Sequence, residues 1–249
     1  MLPLAVQLWS VRDEVAKDVP ATLAALAKIG YDGIETAGLA NASAAVWTKA
    51  LADNGLRVAG AHVGIDTLLG DNFNKTTDEY LAIGCKRITV PYLGGEYQAS
   101  LDGYRLACAR LNEIAERAKP LGITIGYHNH DFEFRPTENK IPMLLMLECL
   151  TTSVEMEWDF AWVYGAGYDG VRLTRSLPGR VKAAHIKAFK AGDEAALVGE
   201  DSIPWADVVK ACTEAGGTEW FIIEHENFDK YPPLESVKRC HDNFRKYLA

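Results

Sequence analysis

Residues 123–130 have the sequence ITIGYHNH, and this stretch decides the fold. A β-branched, apolar run that is typical of a buried strand ends there in side chains that bind metals and move protons. Three further runs of the same design follow at spacings of about one strand-plus-helix unit: residues 154–159 (VEMEWD), 181–187 (VKAAHIK) and 220–226 (WFIIEHE). Core packing does not readily explain four such strand ends in phase. They predict one site at the place where several parallel strands finish.

The alternation of strands and helices extends over the whole chain. Strands are predicted over Leu4–Trp9, Gly33–Thr36, Arg57–Val63, Arg87–Val90, Ile123–His128, Val154–Phe160, Val181–Ile186 and Trp220–Glu224. Helices are predicted between Asp18 and Gly30 and over Ala44–Asn54, Asp78–Ile83, Leu101–Lys119, Ile141–Leu150, Asp169–Ser176, Trp205–Ala215 and Leu234–Leu248. Eight repeats in about 250 residues fit an α/β protein with a (β/α)8 TIM barrel. No Pro-rich or Ser/Gly-rich linker interrupts the chain, so a single domain is expected over residues 1–249.

A dinucleotide-binding fold is excluded by the turn after the first strand. That position holds Trp9-Ser10-Val11-Arg12 in place of a GxGxxG loop, and no GxxxxGK[ST] motif occurs.

The bulk composition excludes two classes of partner. A net charge of −8 is poorly suited to a nucleic-acid backbone, and no apolar run of 18 residues is available to span a membrane. The five cysteines are dispersed without a CxxC pair, which is typical of a reducing compartment. The start of the chain has no signal-peptide pattern, so a cytoplasmic protein is expected; a signal peptide removed from a longer precursor stays an open alternative.

The predicted strand ends supply the candidate site. In strand order they carry Gln7 and Trp9, Glu35, His62, Tyr92, His128 and His130, Asp159, His185 and Lys187, and Glu224 and Glu226. Two imidazoles and two carboxylates suit a divalent ion of the group Mn, Co, Zn, Fe and Mg. Because side chains alternate along a strand, His128 and His130 point to the same side, and either one is a candidate ligand while the other contacts substrate.

Tryptophans near the predicted mouth suit the apolar face of a sugar ring. Trp9 and Trp162 are the candidates, with Trp205 as a third. Ordinary packing between strands and helices explains each of them equally well. Trp162 is favoured because it lies in the segment directly after Asp159.

These residues carry a family resemblance that extends over essentially the whole chain. The carrying segments are residues 30–35 (GYDGIE), residues 127–134 (YHNHDFEF), Trp158-Asp159 followed by residues 165–167 (GAG), residues 185–187 (HIK), and Glu224. In their order they resemble the sugar phosphate isomerase/epimerase family of the xylose isomerase-like TIM barrel superfamily. The superfamily also contains ketose 3-epimerases, inosose dehydratases and abasic-site endonucleases.

The resemblance implies a metal site built from one residue on each of strands five to eight, in the order Glu, Asp, His, Glu. Asp159, His185 and Glu224 match three of these positions. Strand five departs from the pattern, because it offers His-Asn-His where the epimerases have Glu. We assign the fourth ligand role to His128, with His130 in reserve.

The implied chemistry is removal of a proton next to a carbonyl of a sugar or keto-sugar, with the ion as the Lewis acid that stabilises an enediolate. Glu224 is the expected base, with His130, Glu35 and Glu157 as rivals, and Lys187 would face a substrate oxygen or phosphate. Reprotonation gives an isomerase or epimerase; expulsion of a β-substituent gives a lyase or dehydratase. Substrate contacts are expected from Trp9, Glu35, His62, Trp162 and Lys187.

Two other classes remain as alternatives. An abasic-site endonuclease needs a richer cluster of metal ligands and a basic rim, and the acidic charge disfavours it. A non-catalytic sugar-binding barrel would bind sugars without a metal. The resemblance also implies that the barrel helices can form a homo-oligomer.

Overall fold

The computed structural model describes residues 2–248, and it is a closed parallel barrel. Its strands are β1 Leu4–Gln7, β2 Gly33–Ala37, β3 Arg57–His62, β4 Arg87–Val90, β5 Thr124–His128, β6 Val154–Asp159, β7 Val181–Ile186 and β8 Trp220–Ile223. They pair in chain order, and β1 pairs with β8 to close the ring. The predicted (β/α)8 TIM barrel is therefore confirmed.

Helices surround this ring. They are α1 Arg12–Lys17, α2 Val19–Ile29, α3 Ala44–Asn54, α4 Asn72–Leu81, α5 Leu101–Ala118, α6 Pro142–Cys149, α7 Phe160–Gly165, α8 Gly170–Ser176, α9 Trp205–Ala211 and α10 Pro233–Phe244. The largest buried side chains, such as Trp47, Trp158 and Phe221, belong to the core cluster that joins strands and helices. Within residues 2–248, no helix is both long and apolar enough to cross a membrane.

Some predicted boundaries were wrong for local reasons. Strand β1 ends at Gln7, because the Gln7 side chain accepts a hydrogen bond from the Trp9 backbone and caps a 3₁₀ helix over Leu8–Val11. Strand β6 ends at Asp159, whose carboxylate caps α7 by accepting from the Trp162 backbone at 3.2 Å. Both short helices begin at a polar strand end, and the apolar pattern alone made each appear as more strand.

Candidate functional site

The four predicted metal ligands lie together at the carboxyl end of the barrel. His128, Asp159 and His185 lie at or near the ends of β5, β6 and β7, and Glu224 directly follows β8. One ligand atom from each residue lies within 4.8 Å of the others. All four residues are buried. The strand ends that the sequence predicted to meet are therefore brought to one place.

Two carboxylates lie beneath this group and contact its histidines. Oε2 of Glu35 lies 2.7 Å from Nε2 of His185 and accepts a hydrogen bond from the Gln7 side chain at 2.7 Å. Oε1 of Glu157 lies 2.7 Å from Nε2 of His62 and 3.3 Å from Nδ1 of His128. The contact with His128 has ion-pair distance but poor hydrogen-bond alignment, so Nδ1 of His128 has no well-formed hydrogen bond with any described residue.

In the part of the chain that the structure describes, two overlapping sets of side chains have metal-ligand geometry. The first is His62, His128, Glu157 and His185, and the second is His128, Asp159, His185 and Glu224. In the first set, Nε2 of His62 and Nε2 of His185 already contact carboxylates. The second set contains Oδ2 of Asp159, which is buried without a hydrogen-bond partner among residues 2–248. A buried carboxylate oxygen without a hydrogen bond is costly, so the second set suits a cation better.

The orientation of the His185 and His128 ring nitrogens also favours the second set as the metal site. If Nε2 of His185 donates to Glu35, Nδ1 is the nitrogen that points to Glu224, 3.1 Å away. In His128, Nδ1 faces Glu157, and Nε2 lies 4.0 Å from Oδ2 of Asp159. Histidine ligands of metals usually turn their second nitrogen to a carboxylate or carbonyl in this way. The donor set, two imidazoles and two carboxylates, fits a divalent ion.

Protonation of the two histidines differs because their surroundings differ. Burial and the neighbouring His185 lower the pKa of His128 well below its ordinary value, so this ring is neutral. Burial disfavours the charged form of His185 as well, but the charges of Glu157 and Glu35 outweigh it and raise the pKa of His185 well above its ordinary value. Without an ion, the positive His185 ring therefore balances the negative charges of Glu35 and Glu157.

The carboxylates of the group are also unequal. Burial raises the pKa of Asp159 to about 7, against the opposing charge of Lys187. Burial acts on Glu224 in the same direction, but Lys187 and His185 together hold the pKa of Glu224 well below its ordinary value. Glu224 is therefore the more strongly ionised of the two.

The sequence comparison that decides the family covers nearly all of these elements. A sequence model of the xylose isomerase-like TIM barrel family matches residues 23–247. The chain belongs to this family. Among curated proteins, no sequence matches the chain significantly.

Solved structures of family-like barrels superpose over the full chain. A sugar phosphate isomerase/epimerase from Parabacteroides distasonis ATCC 8503 has a TM-score of 0.87 and 22% identity, covering 100% of this chain and 96% of that one. An L-ribulose 3-epimerase has a TM-score of 0.75 and 17% identity, covering 100% and 96%. The probable 3-DHS dehydratase AsbF from Bacillus anthracis has a TM-score of 0.73 and 13% identity, covering 97% and 98%. At these identities the likeness establishes the fold.

For this member of the xylose isomerase-like family, Lys187 and His130 lie next to the ligand group, which itself contains the predicted base Glu224. Nζ of Lys187 is 3.7 Å from Glu224 and 4.0 Å from Asp159, and it also pairs with Glu226. The ring of His130 lies 5.1 Å from the ring of His128. Burial and Lys187 lower the pKa of His130 to about 4, so this imidazole is neutral at neutral pH.

A cavity of about 390 Å³ opens above the ligand group. Its walls include Trp9, Tyr92, His62, His130 and Glu224. The side chains of Trp9 and Tyr92 are 46% and 53% exposed, which leaves their rings available to a ligand. The predicted substrate residues Trp9 and His62 thus lie on one cavity together with the candidate proton carriers.

The other predicted substrate residues lie elsewhere. Glu35 is fully buried and contacts protein groups, so the structure gives it a supporting position beneath His185. Trp162 lines a second, larger cavity, with Nζ of Lys187 4.6 Å from its ring centre. Trp205 is buried against Phe160 and Phe244 and belongs to the core.

Sequence reasoning named Glu157 only as a rival base and missed its central position. Glu157 pairs in register with His128 on the neighbouring strand and is almost fully buried. The signal was present, because Glu157 precedes Asp159 by two residues and therefore faces the same side of β6. The β6–β7 register also shifts between Met156 and Glu157, an irregularity of the kind that re-aims side chains near active sites.

The close approach of Glu35 requires a glycine. A Cβ atom on Gly60 would lie 2.8 Å from Oε1 of Glu35, which is too close for any other residue without a shift. The β2–β3 register shifts beside this contact, between Ile34 and Glu35. The register shift and the absence of a Cβ atom at Gly60 together leave space for the Glu35 carboxylate inside the barrel.

Two side chains, those of Asn129 and Glu133, hold the segment after β5. The Asn129 side chain accepts from the backbone N–H of Asp159 at 2.9 Å and donates to the Asp159 carbonyl at 3.3 Å. Glu133 accepts from the Tyr127 hydroxyl and, at 2.9 Å, from the backbone N–H of His130. These contacts fix His128 and His130 relative to β6.

Proposed function

We propose that the chain is a divalent-metal-dependent sugar isomerase or epimerase that removes a proton from a carbon next to a carbonyl. The observation that carries the proposal is the buried Oδ2 of Asp159, which lacks a hydrogen-bond partner in the described chain, at the point where His128, His185 and Glu224 converge. Around it, the second nitrogens of both histidines face carboxylates. The family of the chain and the epimerases among its structural neighbours agree with the proposal.

His128, Asp159, His185 and Glu224 would hold the ion, with Glu35 and Glu157 as supporting carboxylates beneath it. A divalent ion held there would act as a Lewis acid toward a substrate carbonyl and the hydroxyl next to it. The mixed nitrogen and oxygen donors suit Mn, Co, Zn, Fe or Mg. Each supporting carboxylate would fix the tautomer and the ring orientation of one ligand histidine.

Proton transfer is assigned to Glu224 and His130. Burial acts against ionisation of Glu224, but the Lys187 ammonium holds its pKa below the ordinary value, so the carboxylate is ionised and an oxygen is available to take the proton. His130 lines the same cavity, and its neutral ring has a nitrogen lone pair that can take up a proton during the reaction. The ammonium of Lys187 donates hydrogen bonds and positive charge to the substrate oxygen on which negative charge develops.

The sugar is assigned to the cavity of about 390 Å³, whose size is within the ordinary range of small-molecule sites. The rings of Trp9 and Tyr92 offer apolar faces to the C–H face of a sugar, and His62 offers a polar edge to a hydroxyl. A structural neighbour is described as a D-allulose 3-epimerase in complex with D-allulose. A neutral monosaccharide or keto-sugar ring is the class of substrate that this cavity suits.

A lyase or dehydratase on the same scaffold is the second candidate. The observation that favours it is the asymmetry of the proton carriers, because a carboxylate, Glu224, is matched with a neutral imidazole, His130. Symmetrical epimerisation is served better by two like groups on opposite faces of the substrate. A dehydratase among the structural neighbours agrees with this alternative.

The test is solvent exchange. The protein, with its metal content measured, is incubated with a panel of ketoses and keto-glycosides in deuterated water. Deuterium at a carbon next to the carbonyl, without net elimination, supports the isomerase or epimerase. Release of water or of an aglycone supports the lyase. Bound metal without exchange on any member of the panel would contradict both.

A further inference from the structure

A second cavity of about 740 Å³ lies beside the candidate site. Its walls come from α7 and from the segments that follow β7 and β8, together with Asp131 from the segment after β5. An ion pair joins the two segments at the outer side, where Nζ of Lys230 lies 2.9 Å from both carboxylate oxygens of Asp193. The two segments are therefore tied to each other, and the volume of the cavity lies in the range of about 300–1,000 Å³ that is usual for ligand sites.

The two cavities adjoin at a small group of side chains. Glu226 lines both of them, and its ion-pair partner Lys187 lines the larger one. The ring of Trp162, which lines the larger cavity, lies 5.5 Å from the ring of His130, which lines the smaller one. A ligand that extends from the sugar cavity would cross this boundary beside the Lys187 ammonium.

The lining of the larger cavity indicates the chemistry of its occupant. Three half-buried aromatic side chains, Trp162, Phe189 and Phe228, contribute to the wall. Five carboxylate residues and two lysines also line it, so its formal charge is negative. Aromatic faces suit the apolar face of a ring, carboxylates accept from hydroxyls, and the excess of negative charge disfavours a phosphate or a carboxylate.

We propose that the larger cavity binds a neutral ring attached to the anomeric oxygen of a keto-sugar, so that the substrate is a keto-glycoside. This proposal rests on the proposed function, because it takes the smaller cavity as the site of the sugar ring. The glycosidic oxygen then lies at the boundary beside Lys187 and Glu226. Trp162, Phe189 and Phe228 contact the second ring.

The test uses a series of probes that differ only in the second group. The probes are 3-ketoglucose, methyl 3-ketoglucoside and phenyl 3-ketoglucoside, with kcat/KM measured from deuterium exchange at C2. Methyl and phenyl glucoside, which lack the carbonyl and cannot exchange, are used to measure binding by calorimetry. In the wild-type protein we expect the phenyl forms to be preferred over the methyl forms in both measurements, by about fivefold, the order of one aromatic contact.

Two variants and a control locate the effect. Phe228→Ala removes an aromatic side chain from the wall, and Ala191→Trp fills part of the larger cavity. Each variant should reduce the phenyl-to-methyl ratio toward one. Tyr247→Ala alters a partly exposed aromatic residue after α10, outside both cavities, and should leave the ratio unchanged.

The outcomes separate this proposal from the function on which it rests. Equal binding and equal turnover of methyl and phenyl forms by the wild-type protein would overturn the second subsite, even if exchange occurs. Exchange on no probe would contradict the proposed function. In that case phenyl glucoside that still binds more tightly than methyl glucoside, and loses its advantage in Phe228→Ala, would support the subsite by itself.

Discussion

Nε2 of His185 lies 2.7 Å from Oε2 of Glu35, and this contact gives the two nitrogens of the ring different roles. Nε2 is occupied by a buried carboxylate, so Nδ1, 3.1 Å from Glu224, is the nitrogen that faces the ligand group. Glu35 itself accepts a hydrogen bond from the Gln7 side chain, and Gly60 leaves space for its carboxylate. The barrel interior thus sets the orientation of a candidate metal ligand from below.

Glu35→Gln should weaken metal binding without abolishing it. Glutamine keeps the shape but loses the charge that fixes the tautomer and raises the basicity of His185, and losses of about 10–100-fold are usual for such changes. Competition with a chelator measures the affinity. Glu155→Gln is the matched control, because Glu155 lies on β6 inside the barrel but pairs with Arg87, away from the ligand group. Equal affinity in Glu35→Gln and wild type would refute the supporting role.

His128→Ala and His130→Ala should separate metal binding from proton transfer. Loss of His128 removes a ligand, so metal content should fall. Loss of His130 should leave metal content near the wild-type level and lower the deuterium-exchange rate by about 10²–10⁴-fold, the usual contribution of a general acid or base. Elemental analysis and exchange kinetics on the same preparations measure both effects. The reverse pattern, with metal lost only in His130→Ala, would give the ligand role to His130.

Glu133 should make stability depend on pH. Burial raises the pKa of Glu133 from 4.5 to about 7, so between these pH values the folded state keeps a proton that the unfolded chain has lost. Folding is therefore favoured by this group below about pH 4.5, and the contribution is lost as pH rises to about 7, with a total of about 3 kcal/mol.

The variant Glu133→Gln tests this contribution, because it does not ionise and can still contact both Tyr127 and the His130 backbone. The difference in thermal midpoint between the variant and the wild type is measured at pH 5 and pH 8. The thermal midpoint of the variant should rise relative to that of the wild type between pH 5 and pH 8. A difference that does not change with pH would show that Glu133 has an ordinary pKa in the folded protein.

The barrel and most of the candidate site could be predicted because strand and helix patterns recur regularly along the sequence. Strand and helix runs alternate eight times, and a parallel barrel brings every strand end to one face. The strand ends were predicted to meet for this reason, and the family resemblance then selected His128, Asp159, His185 and Glu224 among them; the structure places their ligand atoms within 4.8 Å of one another. The short helices at Leu8–Val11 and Phe160–Gly165 were missed, since each begins at a side-chain cap that interrupts an apolar run.

What could not be predicted depends on depth along the barrel axis. Glu35, Glu157 and Asp159 all face the interior, and the sequence does not say which level each occupies. Strand register decides it, through pairs such as His128 with Glu157, and the shifts beside Glu35 and Glu157 change that register locally. Glu35 is fully buried against His185, and it does not line the sugar cavity.

The metal content of purified protein tests the central claim most directly. Asp159→Ala and His185→Ala are compared by elemental analysis with the wild type and with His241→Ala, a control that removes a mostly buried histidine on α10, outside the ligand group. Circular dichroism checks that each variant is folded. We predict about one equivalent of divalent metal in the wild type and in the control, and a loss of most of it in both site variants. Unchanged metal content in both folded site variants would contradict the proposed site.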